Sequence, residues 1–180
     1  MLVIDIEATG TNPQKHSIVS LGALDLRDPA NQLYLECRIW DEAHIDPDGL
    51  AVCGYSEAEV RDENKMTEAE LVRNFLGWAD TLPDRTLAGQ NVAFDRSFVE
   101  AACVRAGEAF PFPHRTIDTH SLAYLHMVHR GIEPPFDAER RRSALNLDAV
   151  LNYCGIPDEP EPHNALTGAK SHAEVISRLL

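Results

Sequence analysis

Asp5 and Glu7 stand two apart in the segment LVIDIEA. In a strand, alternation puts both carboxylates on one face. Their neighbours Val3, Ile4, Ile6 and Ala8 are apolar, so that face lies near a core. Two acids held together there repel each other and are costly unless a cation sits between them. Oxygen donors alone favour Mg²⁺ or Mn²⁺ over zinc. The alternative is a strand end whose acids reach solvent or cap a turn. Asp95, in GQNVAFDRSF, is either an acid for the same site or the N-cap of the helix that follows it. His163, in HNALTGAK, is either a proton acceptor near neutral pH or an exposed loop histidine. His126 and His129 have the i,i+3 spacing of a metal pair, a spacing that also arises by chance.

These residues need elements to hold them. LVIDIEA reads as a buried strand, followed by the turn TGTNPQKHS. IVSLGALDL and LYLECRIW read as two more strands, giving an antiparallel start of three. DEAHIDPDGLAVCGYS reads as a loop with one helical turn. Thr67 and Glu70 form a capping box for the helix TEAELVRNFLGWAD. A short buried strand in RTLAGQNVAF precedes the helix RSFVEAACVRAG, which ends near Gly107. THSLAYLHMV and LNLDAVLNYCG read as helices, separated by the irregular HRGIEPPFDAERRRS. The stiff acidic connector DEPEP then leads into the closing helix ALTGAKSHAEVISRLL. The order β-β-β-α-β-α-α-α is a mixed α/β layout. Phe94, Phe98, Phe112 and Tyr124 are apolar enough to be core.

The 180 residues suit one domain, 1–180, with one sizeable core. No apolar run reaches the roughly 18 residues of a membrane span, and MLVIDIEATG lacks the basic start of a signal peptide. Four well-separated cysteines with no CxxC pair argue against a zinc knuckle or redox motif and for reduced thiols in a cytoplasmic protein. A net charge of −13 argues against non-specific nucleic-acid binding through a basic surface. It leaves open an enzyme that meets phosphates through bound divalent metals.

DIEATGTNP, GQNVAFDRSF and HNALTGAK, in that order and at these separations, resemble the three motifs of the DEDDh family of 3′–5′ exonucleases, in the ribonuclease H-like superfamily. The resemblance spans nearly the whole chain. It implies an α/β ribonuclease H-like fold: a mixed central sheet, three antiparallel strands then parallel additions, flanked by helices. It implies two Mg²⁺ or Mn²⁺ ions held by Asp5, Glu7 and Asp95, with His163 as the general base that takes a proton from the attacking water. It matches Thr9 and Gly10 to positions whose backbone approaches the terminal nucleotide; Asn91 and Phe94 of the second motif join them as substrate-binding candidates. Asp118, in TIDTH, resembles a common family acid outside the catalytic set and reads as structural. The partner implied is the 3′ end of single-stranded DNA or RNA. Lys15, His16, Arg96 and the run Arg140, Arg141, Arg142 are candidate phosphate contacts, the run best of all because guanidinium forks suit phosphate oxygens; a solvated loop is its other reading.

One position departs from the pattern. The family places an aspartate five residues after the histidine, and here that residue is Gly168. Three explanations compete. His172, one turn on, or more weakly Ser171, substitutes for the missing ligand. Water replaces it, leaving a weakened second metal site and a slow enzyme. Or catalysis is lost and the domain is a binding module for nucleic acid or a protein partner.

Overall fold

The computed structural model describes residues 1–160 and 162–180. Glu161, inside the DEPEP connector, lies outside the described residues. Strand β1 (Leu2–Ala8) pairs antiparallel with β2 (Ile18–Asp25), and β2 pairs antiparallel with β3 (Asp28–Glu36). Beyond a linking segment lie two short helices, α1 (Pro47–Val52) and α2 (Glu57–Val60), then α3 (Glu68–Asp80). Strand β4 (Leu87–Gly89) runs parallel to β1 on its free edge. After α4 (Ala93–Ala106), β5 (Ile117–Asp118) adds in parallel to β4. The sheet order is therefore β3-β2-β1-β4-β5, the expected antiparallel trio with parallel additions. The chain closes with α5 (Thr119–His129), the small hairpin β6 (Phe136–Asp137) and β7 (Arg142–Ser143), α6 (Leu147–Cys154) and α7 (Ala165–Leu179).

Alternation along β1 divides the molecule. Leu2, Ile4 and Ile6 face a core shared with Phe75 of α3 and Phe98 of α4. Val3 faces the other way, onto Ala173 and Ile176 of α7, so Asp5 and Glu7 lie on the α7 side. Helices α5 and α6 back α7 through Ala123, Leu151 and Val175. Gly22, directly opposite Asp5 in the β1–β2 register, lets α7 come down on the sheet. A Cβ there would lie 2.3 Å from the Ala165 carbonyl carbon and the Leu166 nitrogen. On the opposite side, the Thr67 capping box opens α3 as expected. The buried Glu68 carboxylate accepts from Ser17 Oγ at 2.9 Å and from the Ile18 N–H at 3.1 Å, and pairs with Arg105 at 2.7 Å.

Several expectations need correcting. Strand β3 starts at Asp28 and stops at Glu36, because a tight turn at Leu26 and Arg27 pairs Asp25 with Asp28; the residues from Arg38 onward leave the ladder save for a lone bridge to Thr67. The segment read as a loop with one helical turn holds α1, capped by Asp46, and its last residue, Ser56, opens α2 by a capping box that was not foreseen. The irregular arginine loop contains the β6–β7 hairpin, and β5 was not foreseen. Tyr124 is 47% exposed rather than core, whereas Phe98 and Phe112 are buried. No helix among the described residues is long and apolar enough to cross a membrane, and all four cysteines are free thiols.

Candidate active site

Asp5 and Glu7 project from β1, and Asp95 meets them from α4. Asp95 is not the N-cap. Asn91 takes a left-handed backbone at φ 50°, the helix opens at Ala93, and Asp95 falls in its first turn. Freed from capping, its Oδ1 accepts the Ile6 N–H at 3.0 Å and is fixed beside β1. His163 arrives half-buried on the segment before α7, beside Ala51 and Val52 of α1. Asn164 then caps α7 by accepting from the Leu166 and Thr167 N–H groups.

Each acid is held by protein. Glu7 Oε2 accepts from the Cys53 thiol at 3.0 Å. Asp5 lies against Gly168, so closely that a Cβ on that glycine would sit 2.1 Å from its Oδ2. Among the described residues no three His, Cys, Asp or Glu side chains converge closely enough to grip one ion. The electrostatics still favour a cation. Burial drives the Asp5 carboxyl well above the usual carboxylate range, and the charges of Asp95, Glu7 and Glu159 push it the same way. Burial likewise raises Asp95 strongly, with Glu7 and Asp118 adding to it while backbone hydrogen bonds oppose. Glu7 is raised by burial; the Cys53 thiol and the His163 charge oppose, and Glu159 adds. The donors are oxygens, they repel, and Glu159 Oε1 is buried with no hydrogen-bond partner. Oxygen donors that repel one another are the chemistry a hard divalent ion is bound by.

Thr9 is fully buried, its hydroxyl donating to the His44 carbonyl at 2.7 Å and its own N–H to Ser17 at 3.0 Å. Gly10 takes φ 157°, and a Cβ there would strike the His16 ring at 2.6 Å. Asn91 is exposed and lines a cleft of about 620 Å³ with His120, Ser143, Arg140 and Arg142. Phe94 is half-buried against Phe98. Of the candidate phosphate contacts, Arg140 and Arg142 line this cleft. Arg96 is tied to Glu100 at 2.9 Å and lies over Phe110. His16 is bound within its own turn to Asn12, and Lys15 is exposed. Asp118 caps α5 and accepts from Val92, a structural role. His126 bonds the Tyr153 hydroxyl at 2.7 Å. Ser171 is half-buried. His172 is fully buried with Nδ1 3.4 Å from the Ile4 carbonyl, and burial lowers its pKa to about 4. Sequence reasoning missed Cys53 and Glu159. Nothing near either residue in the chain marks it out, because their partners on β1 are remote in sequence.

A family model described as "Exonuclease" (RNase T) matches residues 2–176. Ribonuclease T of Haemophilus influenzae (strain PittGG) is 29% identical over 167 residues, covering 80% of this chain and 72% of that protein. Ribonuclease T of Yersinia pseudotuberculosis serotype O:1b (strain IP 31758) is 28% identical over 178 residues, covering 85% and 82%. Among solved structures, E. coli Exonuclease I in complex with a dA16 oligonucleotide superimposes with a TM-score of 0.74 at 18% identity, over 99% of this chain and 40% of that one. The zinc-bound Exonuclease I–ssDNA complex gives 0.76 at 18%, over 99% and 39%. At such identities the likeness shows the fold, which is ribonuclease H-like. The chain spans about 40% of the length of those Exonuclease I chains.

Proposed function

The chain belongs to the exonuclease family whose model it matches, and on that premise we propose that it is a 3′–5′ exonuclease. It removes nucleoside monophosphates from the 3′ end of single-stranded DNA or RNA, with Mg²⁺ or Mn²⁺ held by Asp5, Glu7 and Asp95. The observation that carries the reading is the meeting of half-buried Asp5 and buried Glu7 of β1 and buried Asp95 of α4 with His163 at the approach to α7. Bound metal ions supply water activation and stabilise the in-line displacement. The chain's own residues do the rest. His163 accepts the proton of the attacking water. Ile6 fixes Asp95 by its N–H, and the Cys53 thiol orients Glu7. Arg140 and Arg142 stand in the cleft beside Asn91, where guanidinium groups meet the phosphates of the incoming strand. The oligonucleotides bound to Exonuclease I support a single-stranded substrate.

Gly168 favours a second reading, a catalytically impaired module that binds nucleic acid or a protein partner. One assay separates the two. A 5′-labelled single-stranded DNA and its RNA counterpart are incubated with protein in Mg²⁺ or Mn²⁺, beside Asp5→Ala and EDTA controls. A ladder shortening from the 3′ end and absent from both controls is expected. An intact label that nonetheless shifts on a native gel would replace the enzyme with the binding module.

A further inference from the structure

The ion pair between Glu68 and Arg105 lies on the face of the sheet turned away from α7, yet its outer bonds end on the turn that joins β1 to β2. Glu68 opens α3 and is buried. Its Oε1 accepts from the Ser17 hydroxyl and the Ile18 N–H where the turn enters β2. Arg105, in the last turn of α4, gives Nε and Nη2 to the two oxygens of Glu68 at 2.7 and 2.9 Å. Its Nη1 donates to the Pro13 carbonyl at 2.8 Å, in the middle of the turn. The guanidinium also lies over the Trp40 ring, 5.3 Å from its centre. One planar fork thus binds a carboxylate at both oxygens and reaches a third acceptor, a geometry an ammonium group cannot copy.

Thr9 and Ser17 close the turn by two bonds of 3.0 Å, the Thr9 N–H donating to the Ser17 carbonyl and the Ser17 N–H to Thr9 Oγ1. Thr9 in turn seats α1. Its carbonyl accepts the Asp46 N–H at 2.7 Å, and its hydroxyl donates to the His44 carbonyl at the same distance. Gly49 of α1 packs on Gly10 so closely that a Cβ on Gly49 would lie 3.3 Å from the Gly10 Cα. Beyond the other end of α1, the Cys53 thiol donates to Glu7, and Ala51 and Val52 border a cleft of about 560 Å³ with His163. One turn and one short helix therefore link the ion pair to an acid and the base of the site. A buried ion pair is a poor source of net stability, and the hydrogen bonds this one makes outside itself go to the turn and to the first residue of β2.

We propose that Arg105 is a positioning residue: locked to Glu68, it holds the β1–β2 turn, and through it α1, in the shape that receives the 3′-terminal nucleotide beside Glu7 and His163. This rests on the exonuclease reading above. The test compares the wild type with Arg105→Lys, with the charge-free pair Arg105→Met and Glu68→Gln together, and with Leu82→Ala, a core truncation beyond the end of α3 that lowers stability without touching the turn. Each protein is assayed where its circular dichroism melt shows it folded. KM and kcat are read from digestion of a 5′-labelled single-stranded oligonucleotide in Mn²⁺, and competition by a nucleoside 5′-monophosphate gives a binding constant free of the chemical step. The double variant should raise KM and the inhibition constant by about tenfold or more and move kcat by less. Arg105→Lys keeps the charge and loses the fork, and should raise both constants by a smaller factor; it carries the comparison alone if the double variant does not fold. Leu82→Ala should keep the wild-type constants. Wild-type KM and inhibition constants in the Arg105 variants, or an equal rise in Leu82→Ala, would overturn the positioning role and leave the exonuclease standing. A wild type that leaves the label intact would overturn both.

Discussion

Replacing Gly22 by alanine tests how the site is assembled. Gly22 faces Asp5 across the β1–β2 register, and the first turn of α7 rests on it. The new Cβ would lie 2.3 Å from the Ala165 carbonyl carbon, its oxygen and the Leu166 nitrogen, all backbone atoms that no rotamer change can move. Reaching ordinary contact requires the helix to withdraw by about 1 Å. Overpacking of this kind costs about 1–3 kcal/mol, which for a chain of this size lowers the melting temperature by roughly 3–10 °C. The withdrawal also carries His163, two residues before Ala165, away from Glu7. A misplacement of about 1 Å in a catalytic group costs on the order of 10²-fold in rate. Thermal melts followed by circular dichroism and timed digestion of a 5′-labelled oligonucleotide read the two effects on one preparation. The expected result is a folded protein with a lowered melting temperature and a turnover reduced out of proportion to the folded fraction. A wild-type melting temperature and wild-type turnover would refute the seating of α7 on Gly22 as the device that positions the base.

Asp5→Asn should abolish activity yet stabilise the protein in EDTA by roughly 1–3 kcal/mol, the scale of an unfavourably buried polar group, measured by urea denaturation at pH 8. The sign follows from the raised carboxyl pKa values of Asp5, Glu7 and Asp95: the unfolded chain releases these protons first, so stability in EDTA is lost as pH rises through the folded-state values. His172 works in the opposite direction. Its pKa falls from 6.5 to about 4 on folding, so its contribution is present above 6.5 and lost as pH drops towards 4. Relative to His172→Asn, the wild type should lose on the order of 3 kcal/mol across that window in denaturant titrations. Cys53→Ala removes the thiol donor to Glu7 and should move the acid limb of the pH–rate profile to higher pH; an unmoved limb would exclude the thiol from setting that carboxylate.

What could be read in the chain followed from local periodicity and end signals. The alternation of LVIDIEA put Asp5 and Glu7 on one face, and the Thr67 capping box and the glycines at 107 and 155 ended or opened their helices where expected. Of the two readings of Asp95, the cap fails because a capping signature assumes the helix starts after it. Beyond the left-handed turn at Asn91, the helix starts at Ala93, three residues earlier than expected. Strand β5 escaped because two residues carry no periodicity at all. Cys53 meets Glu7 across 46 positions of chain. Glu159 acts on acids at the opposite end of the sequence. Such pairings are made by packing, and no local pattern announces them. Gly168 was legible as a departure, but its neighbour Asp5 Oδ2 became visible only in three dimensions.

The docking of α7 against β1 and β2 has a consequence for when the protein becomes active. The acids of the site are translated within the first 95 residues, and the base only at residue 163, followed by the helix that seats it. Contacts of such long range form late in folding. On the proposed assignment, a chain still emerging from the ribosome holds the acids without base or anchoring helix, and is expected to be inert while its own message lies alongside. On that assignment nuclease capacity arrives in one step, with α7. Cleavage by a protease ahead of His163 should remove it equally abruptly, even where the sheet survives.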